Sequence, residues 1–142
     1  MKRIVTLLAL PALALAATAV AQDPAADVKA RLAAAGYAEV RDVEFDGGLW
    51  EAEVRRADGK WGEIAFDAAK NEVFDAKSGK ALLDMAAVMK ALEAGGYRDV
   101  SDLERDGALW DAEAVDAKGQ RVELRISGYD GRVVSSDAEY DD

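Results

Sequence analysis

The stretch GYAEVRDVEFDGGLWEAEVRRADGKWGEIAFD (residues 36–67) decides the fold, because it returns sixty positions later as GYRDVSDLERDGALWDAEAVDAKGQRVELRIS (residues 96–127). Gly36-Tyr37, Val40, Asp42, Glu44, Asp46-Gly47, Leu49-Trp50, Ala52-Glu53, Gly59 and Glu63 all recur, as Gly96-Tyr97 through Glu123, with no insertion. Roughly two in five positions agree between residues 28–74 and 88–134, which marks a duplicated structural unit. Positions that agree are what one unit needs to fold. Positions that differ are free to serve something else.

Each copy reads as a meander. Val43 and Phe45 alternate with Asp42, Glu44 and Asp46, the pattern of a half-buried strand. Asp46-Gly47-Gly48 is a hairpin turn, since glycine tolerates the positive φ that tight turns require. Leu49 to Ala57 then turns Trp50, Ala52 and Val54 inward and Glu51, Glu53 and Arg55 outward. Asp58-Gly59 reverses the chain again, Trp61 to Asp67 forms a third strand, and Val73-Phe74 is a candidate edge strand. The second copy places strands at about residues 100–106, 109–115 and 120–127, with residues 132–135 as its edge candidate.

A helix precedes each meander. Asp23-Pro24 pairs a capping side chain with the residue whose missing N–H costs nothing at a helix start, and Gly36 supplies the left-handed terminator. The second helix is expected over about Ala81–Ala94, with Ser78 or Asp84 as cap and Met85, Val88, Met89 and Leu92 as its apolar stripe. The fold class is therefore α+β: two tandem repeats, each one helix covering a three- to four-stranded antiparallel meander sheet. The units span residues 22–77 and 78–137, joined by Lys77-Ser78-Gly79-Lys80, and residues 138–142 form an acidic tail expected to be disordered.

Residues 1–21 read as a secretory signal peptide: Lys2-Arg3, an apolar run from Ile4 to Val20 broken by Pro11, and a small-x-small site at Ala19-Val20-Ala21. The run is about seventeen residues and lacks a basic stop-transfer flank, so a cleaved leader is expected over a membrane anchor. The expected location is the periplasm or the medium. The formal charge is −10, and loss of Lys2 and Arg3 takes it to about −12. Such a chain repels nucleic acid and anionic lipid and favours basic proteins or cations. It contains no His and no Cys, and its only Thr residues, Thr6 and Thr18, lie in the leader. Ser-His-Asp, Cys-His and thiol chemistry are excluded, as are the nitrogen and sulfur ligands of zinc, copper and haem. No enzyme and no cofactor are expected.

A helix ending in Gly-Tyr, a Val-x-x-Val-Glu strand, an Asp-Gly turn, a strand with an aromatic among alternating Glu and a second Asp-Gly turn before an acidic strand together resemble the PepSY domain. Here those elements are Gly36-Tyr37, Val40 to Glu44, Asp46-Gly47, Trp50 to Glu53, Asp58-Gly59 and Glu63 to Asp67. The tandem pair is also similar in architecture to the β-lactamase inhibitor proteins. The resemblance implies a non-catalytic, protein-binding module whose partner is a peptidase or other envelope enzyme, with inhibition or modulation as its role. No peptidase domain follows in this chain, and the resemblance carries no catalytic residues.

Candidate sites follow from the outward positions. Trp50 and Trp110 read as core, and Tyr37 and Tyr97 as pins between helix and sheet. Trp61, Glu63, Arg121, Glu123 and Arg125 are the candidate protein-binding residues, because the second copy has Arg121 where the first has the outward Trp61, and an outward Trp is either an anchor or a shield for charged stems. Asp42, Glu44, Asp46, Asp102, Glu104 and Asp106 are weak candidate metal ligands: crowded carboxylates invite calcium or a basic protein, or form a plain solvated face. Calcium binding or buffering is the competing expectation for function.

Overall fold

The computed structural model describes residues 23–139; residues 1–22, where the leader is expected, and residues 140–142 lie outside them. The chain runs α1 (Pro24–Ala34), β1 (Glu39–Asp46), β2 (Leu49–Arg55), β3 (Trp61–Asp67), β4 (Glu72–Phe74), then α2 (Met85–Ala94), β5 (Arg98–Asp106), β6 (Leu109–Val115), β7 (Arg121–Ser127) and β8 (Val133–Ala138). Each unit is one helix followed by a four-stranded antiparallel sheet in sequential order. No helix among the described residues is long and apolar enough to cross a membrane.

Local chemistry sets the helix ends. Asp23 accepts from the Ala25 N–H at 3.0 Å and Asp84 from the Ala87 N–H at 2.8 Å, each satisfying a first-turn donor. The second helix is thus shorter than its pattern implied. Asp84 is the cap, and residues 81–83 stay outside because Leu82 packs between the units and the Leu83 N–H donates to the Gly128 carbonyl at 2.7 Å.

Val40 and Val43 both pack under α1 although they differ in parity. A β-bulge between Arg41 and Glu44 resolves this: Asp42, at φ +51°, takes up the extra residue and returns Val43 to the inner face. Asp102 does the same at φ +51°, letting Val100 and Leu103 both reach the α2 core. The bulges also twist the outer edges of β1 and β5 away from regular pairing.

Two cores lie between helix and sheet. Val28 and Leu32 meet Ala52, Val54, Ile64 and Phe66 in the first unit; Val88 and Leu92 meet Trp110, Ala112, Ala114, Val122, Leu124 and Ile126 in the second. A third core joins the units. Leu49, Ala65 and Phe74 pack against Ala108 and Leu109, with Leu82, Tyr129 and Val134 at its margin. These side chains lie on the sheet faces turned away from the helices, so those faces are not wholly solvated as simple alternation implied. Equivalent residues meet there: Leu49 with Leu109, Phe74 with Val134, and Glu72 in an ion pair with Arg132. The units are therefore related by an approximate two-fold.

The linker is pinned. The Tyr129 hydroxyl donates to the Asp75 carbonyl at 2.8 Å and accepts from the Asp75 N–H at 3.0 Å, while its ring stacks on Phe74 at 5.9 Å. Asp75 itself is 3% exposed and takes a two-pronged bond from Arg56, with Nη2 at 2.7 Å, and a bond from the Tyr37 hydroxyl at 2.9 Å. The Tyr37 phenol is pushed well above its ordinary range by burial, then by Asp75. At the other end, β8 extends through Ala138, and Glu139 pairs with Arg121 at 2.9 Å. Ordered structure thus enters the expected tail.

Candidate functional site

Pairing register stacks carboxylates directly opposite one another on the faces away from the helices. Glu44 faces Glu51 and Glu53 faces Glu63 in the first unit. Glu104 faces Asp111, Glu113 faces Glu123, and Glu123 faces Asp137 in the second. Like charges at such positions destabilise a sheet by a few tenths of a kcal/mol or more each, roughly 0.2–1 kcal/mol. Folding alone gains nothing from keeping them.

The first set lines a cleft. The turn Asp106-Gly107-Ala108-Leu109 of the second unit leans over the outer face of the first sheet and leaves a cavity of about 330 Å³. Asp42, Glu44, Glu51, Glu53, Glu63 and Asp106 wall it, and Ala65, Phe74, Ala108 and Leu109 give it an apolar floor. The pseudo-symmetric cavity, about 320 Å³, lies where the Asp46-Gly47 turn approaches the second sheet, among Asp111, Glu113, Glu123 and Asp137.

One arginine lies between the two cavities and reaches carboxylates of both, Glu51 and Asp106 of the first and Asp111 of the second. The second is lined by Arg125, whose guanidinium donates to Glu51 at 2.8 Å, Asp106 at 3.3 Å and Asp111 at 3.4 Å, with its side chain only 13% exposed. Burial works against the Arg125 charge, but the Glu51 bond and the three carboxylates outweigh it and hold it more firmly protonated than usual. Burial pushes the Asp111 carboxyl up, and Arg125 only partly pulls it back. At the equivalent position the first unit has Ala65. There Glu44 and Glu63 have no ion-pair partner among the described residues, while Arg41 reaches Glu53 at 2.8 Å and holds its carboxyl below the usual range.

The structure separates the candidate residues. Trp61 and Glu63 share the outer face of β3, and Trp61 is 37% exposed; the Arg41 guanidinium lies 4.0 Å from its ring centre, so the indole also shelters a charged stem. Arg121 occupies the matching place and binds Glu113 at 2.6 Å and Glu139. Arg125 is drawn inward between the units, and Glu123 remains exposed beside it. The metal candidates are dispersed: Asp42 and Asp102 sit in the bulges and Asp46 and Asp106 flank the hairpin turns, with only Glu44 and Glu104 on the sheet face proper. Among the described residues no three acidic side chains converge as a metal-ligand set. Ala65 was not singled out in the sequence and Phe74 only as part of a candidate edge strand, since small and apolar residues carry no chemistry of their own. The mismatch of Ala65 with Arg125 across the repeat was the available signal.

Two segments that overlap by a few residues, 3–77 and 75–137, each match the peptidase propeptide and YPEB domain, PepSY_2. The chain belongs to the PepSY_2 family. The two matches together span nearly all of it, and each duplicated unit falls within one of them. No curated protein matches the chain. PepSY_2 membership agrees with a non-catalytic module, and it leaves the acidic clefts as a feature of this chain's own residues.

Proposed function

We propose that this protein is an exported, non-catalytic tandem PepSY module that captures a basic segment of another protein in the acidic cleft of its first unit. One observation carries the reading. The first cleft gathers six carboxylates around an apolar floor that includes Ala65, and although Arg125 reaches Glu51 and Asp106 and Arg41 reaches Glu53, Glu44 and Glu63 keep no ion-pair partner among the described residues. An incoming Lys or Arg would relieve the opposition of Glu53 and Glu63. The leader-like residues 1–21 support export, and the family relationship supports a peptidase or other envelope enzyme as the class of partner, with modulation of that enzyme as the outcome.

Titration with an alternating Lys–Thr decapeptide tests the reading. Saturable binding that weakens about tenfold in Ala65→Arg, and again in Glu63→Lys, is the expected result. Binding that neither substitution alters would remove the cleft from the function.

A further inference from the structure

The first unit leaves part of its third strand without a neighbour. In the second unit β8 pairs along β7 from Ile126 to Val122, setting Ser136 opposite Leu124, Asp137 opposite Glu123 and Ala138 opposite Val122. The Glu139 N–H then donates to the Arg121 carbonyl at 3.1 Å. In the first unit the β3–β4 register stops at Ala65 opposite Phe74. The residues that would continue it, 75–78, are spent on a turn closed by the Ser78 N–H on the Asp75 carbonyl at 3.1 Å. Asp75 is fixed there by Arg56, Tyr37 and Tyr129, so this segment is held away from β3.

The alternation of the ladder says which groups are left open. Arg56 N–H to Lys60 C=O is a bond on the β2 side, so even-numbered positions of β3 direct their backbone toward β2 and odd-numbered ones toward the free edge. Glu63 and Trp61 therefore turn their N–H and C=O groups to that edge. Their counterparts Glu123 and Arg121 direct theirs to β8 and Glu139. Glu63 and Ile64 also line the cleft.

We infer that the partner binds by strand addition: an extended basic segment pairs antiparallel with β3 along Trp61–Glu63, continuing β4 as the end of β8 does in the second unit. This rests on the cleft being the binding site and specifies how it is used. The residue opposite Glu63 points to the same face as Glu63 and Glu53, into the acidic cavity, and there a Lys or Arg is matched in charge. Backbone pairing supplies the register and the carboxylates select the side chain.

The test compares the alternating Lys–Thr decapeptide with the same peptide N-methylated at alternate backbone nitrogens, in both phases, and with a Glu–Thr decapeptide, on the full chain. N-methylation in one of the two phases should weaken binding about tenfold, because it removes donors without changing charge. Amide exchange at Glu63 should slow when the unmodified peptide is bound. Equal binding of all the Lys–Thr peptides with no Glu63 protection overturns strand addition and leaves the cleft reading intact. Equal binding of the Glu–Thr peptide, or no saturable binding of any peptide at millimolar concentration, overturns both.

Discussion

The Arg125 guanidinium crosses from the second unit to the first and donates to Glu51 at 2.8 Å, on a side chain whose repeat counterpart, Ala65, makes no such bond. This ion pair ties the units together and reaches both clefts, since Arg125 also approaches Asp106 of the first and Asp111 of the second. Arg125→Ala should cost about 2 kcal/mol in denaturant unfolding, the scale of a charged hydrogen bond lost from a half-buried network. It should also free Glu51 and Asp106 in the first cleft and tighten its binding of the Lys–Thr peptide severalfold, detectable by calorimetry.

Glu63→Lys should separate stability from binding. It replaces a direct opposition with Glu53 by an attraction and should raise stability by about 0.5 kcal/mol. The same change should weaken peptide binding about tenfold. A melting curve and a titration on one preparation check both signs.

Asp75 gives the fold a defined acid flank. Burial alone would raise its carboxyl, but the Arg56 bond, the Lys77 N–H and Tyr37 together bring it below the ordinary value. A carboxylate depressed in the folded state stabilises the protein fully above its unfolded pKa, about 3.9. That contribution is lost as pH falls through the depressed folded value. Asp75→Asn should therefore cost about 3 kcal/mol near neutrality, and the gap to the unmodified chain should close in acid below about pH 4. Stability curves at several pH values read this directly.

Tyr129→Phe removes the hydroxyl that both donates to and accepts from the Asp75 backbone while keeping the stack on Phe74. A loss of about 1–2 kcal/mol is expected, the scale of leaving part-buried polar groups unpaired. Faster amide exchange at Asp75, with the two helix–sheet cores unchanged, would place the loss at the junction of the units.

Much of the fold was legible in the chain because its determinants are local. Alternation in Leu49–Arg55 and Trp61–Asp67, the Asp-Gly turns and the Asp23-Pro24 start each act over a few residues. The start of α2 was less legible, since Leu82 is claimed by a contact with the other unit and not by its own helix. The site was half legible. Glu63 and the unequal arginines could be picked out by comparing copies, but the floor formed by Ala65 and Phe74 could not, because its meaning depends on what packs beside it.

The repeat by itself determined that there are two helix-and-meander units, which face of each sheet meets its helix, and which chemistry is absent. Those follow from periodicity and residue type, which any short segment carries with it. Only the tertiary structure decided that the outer faces meet through Leu49 and Leu109, that Arg125 is drawn between the units, and that β3 keeps an open edge beside an acidic cleft. Each is a relation between residues far apart in sequence, set by how two duplicated but diverged surfaces pack when several of their differences are charged.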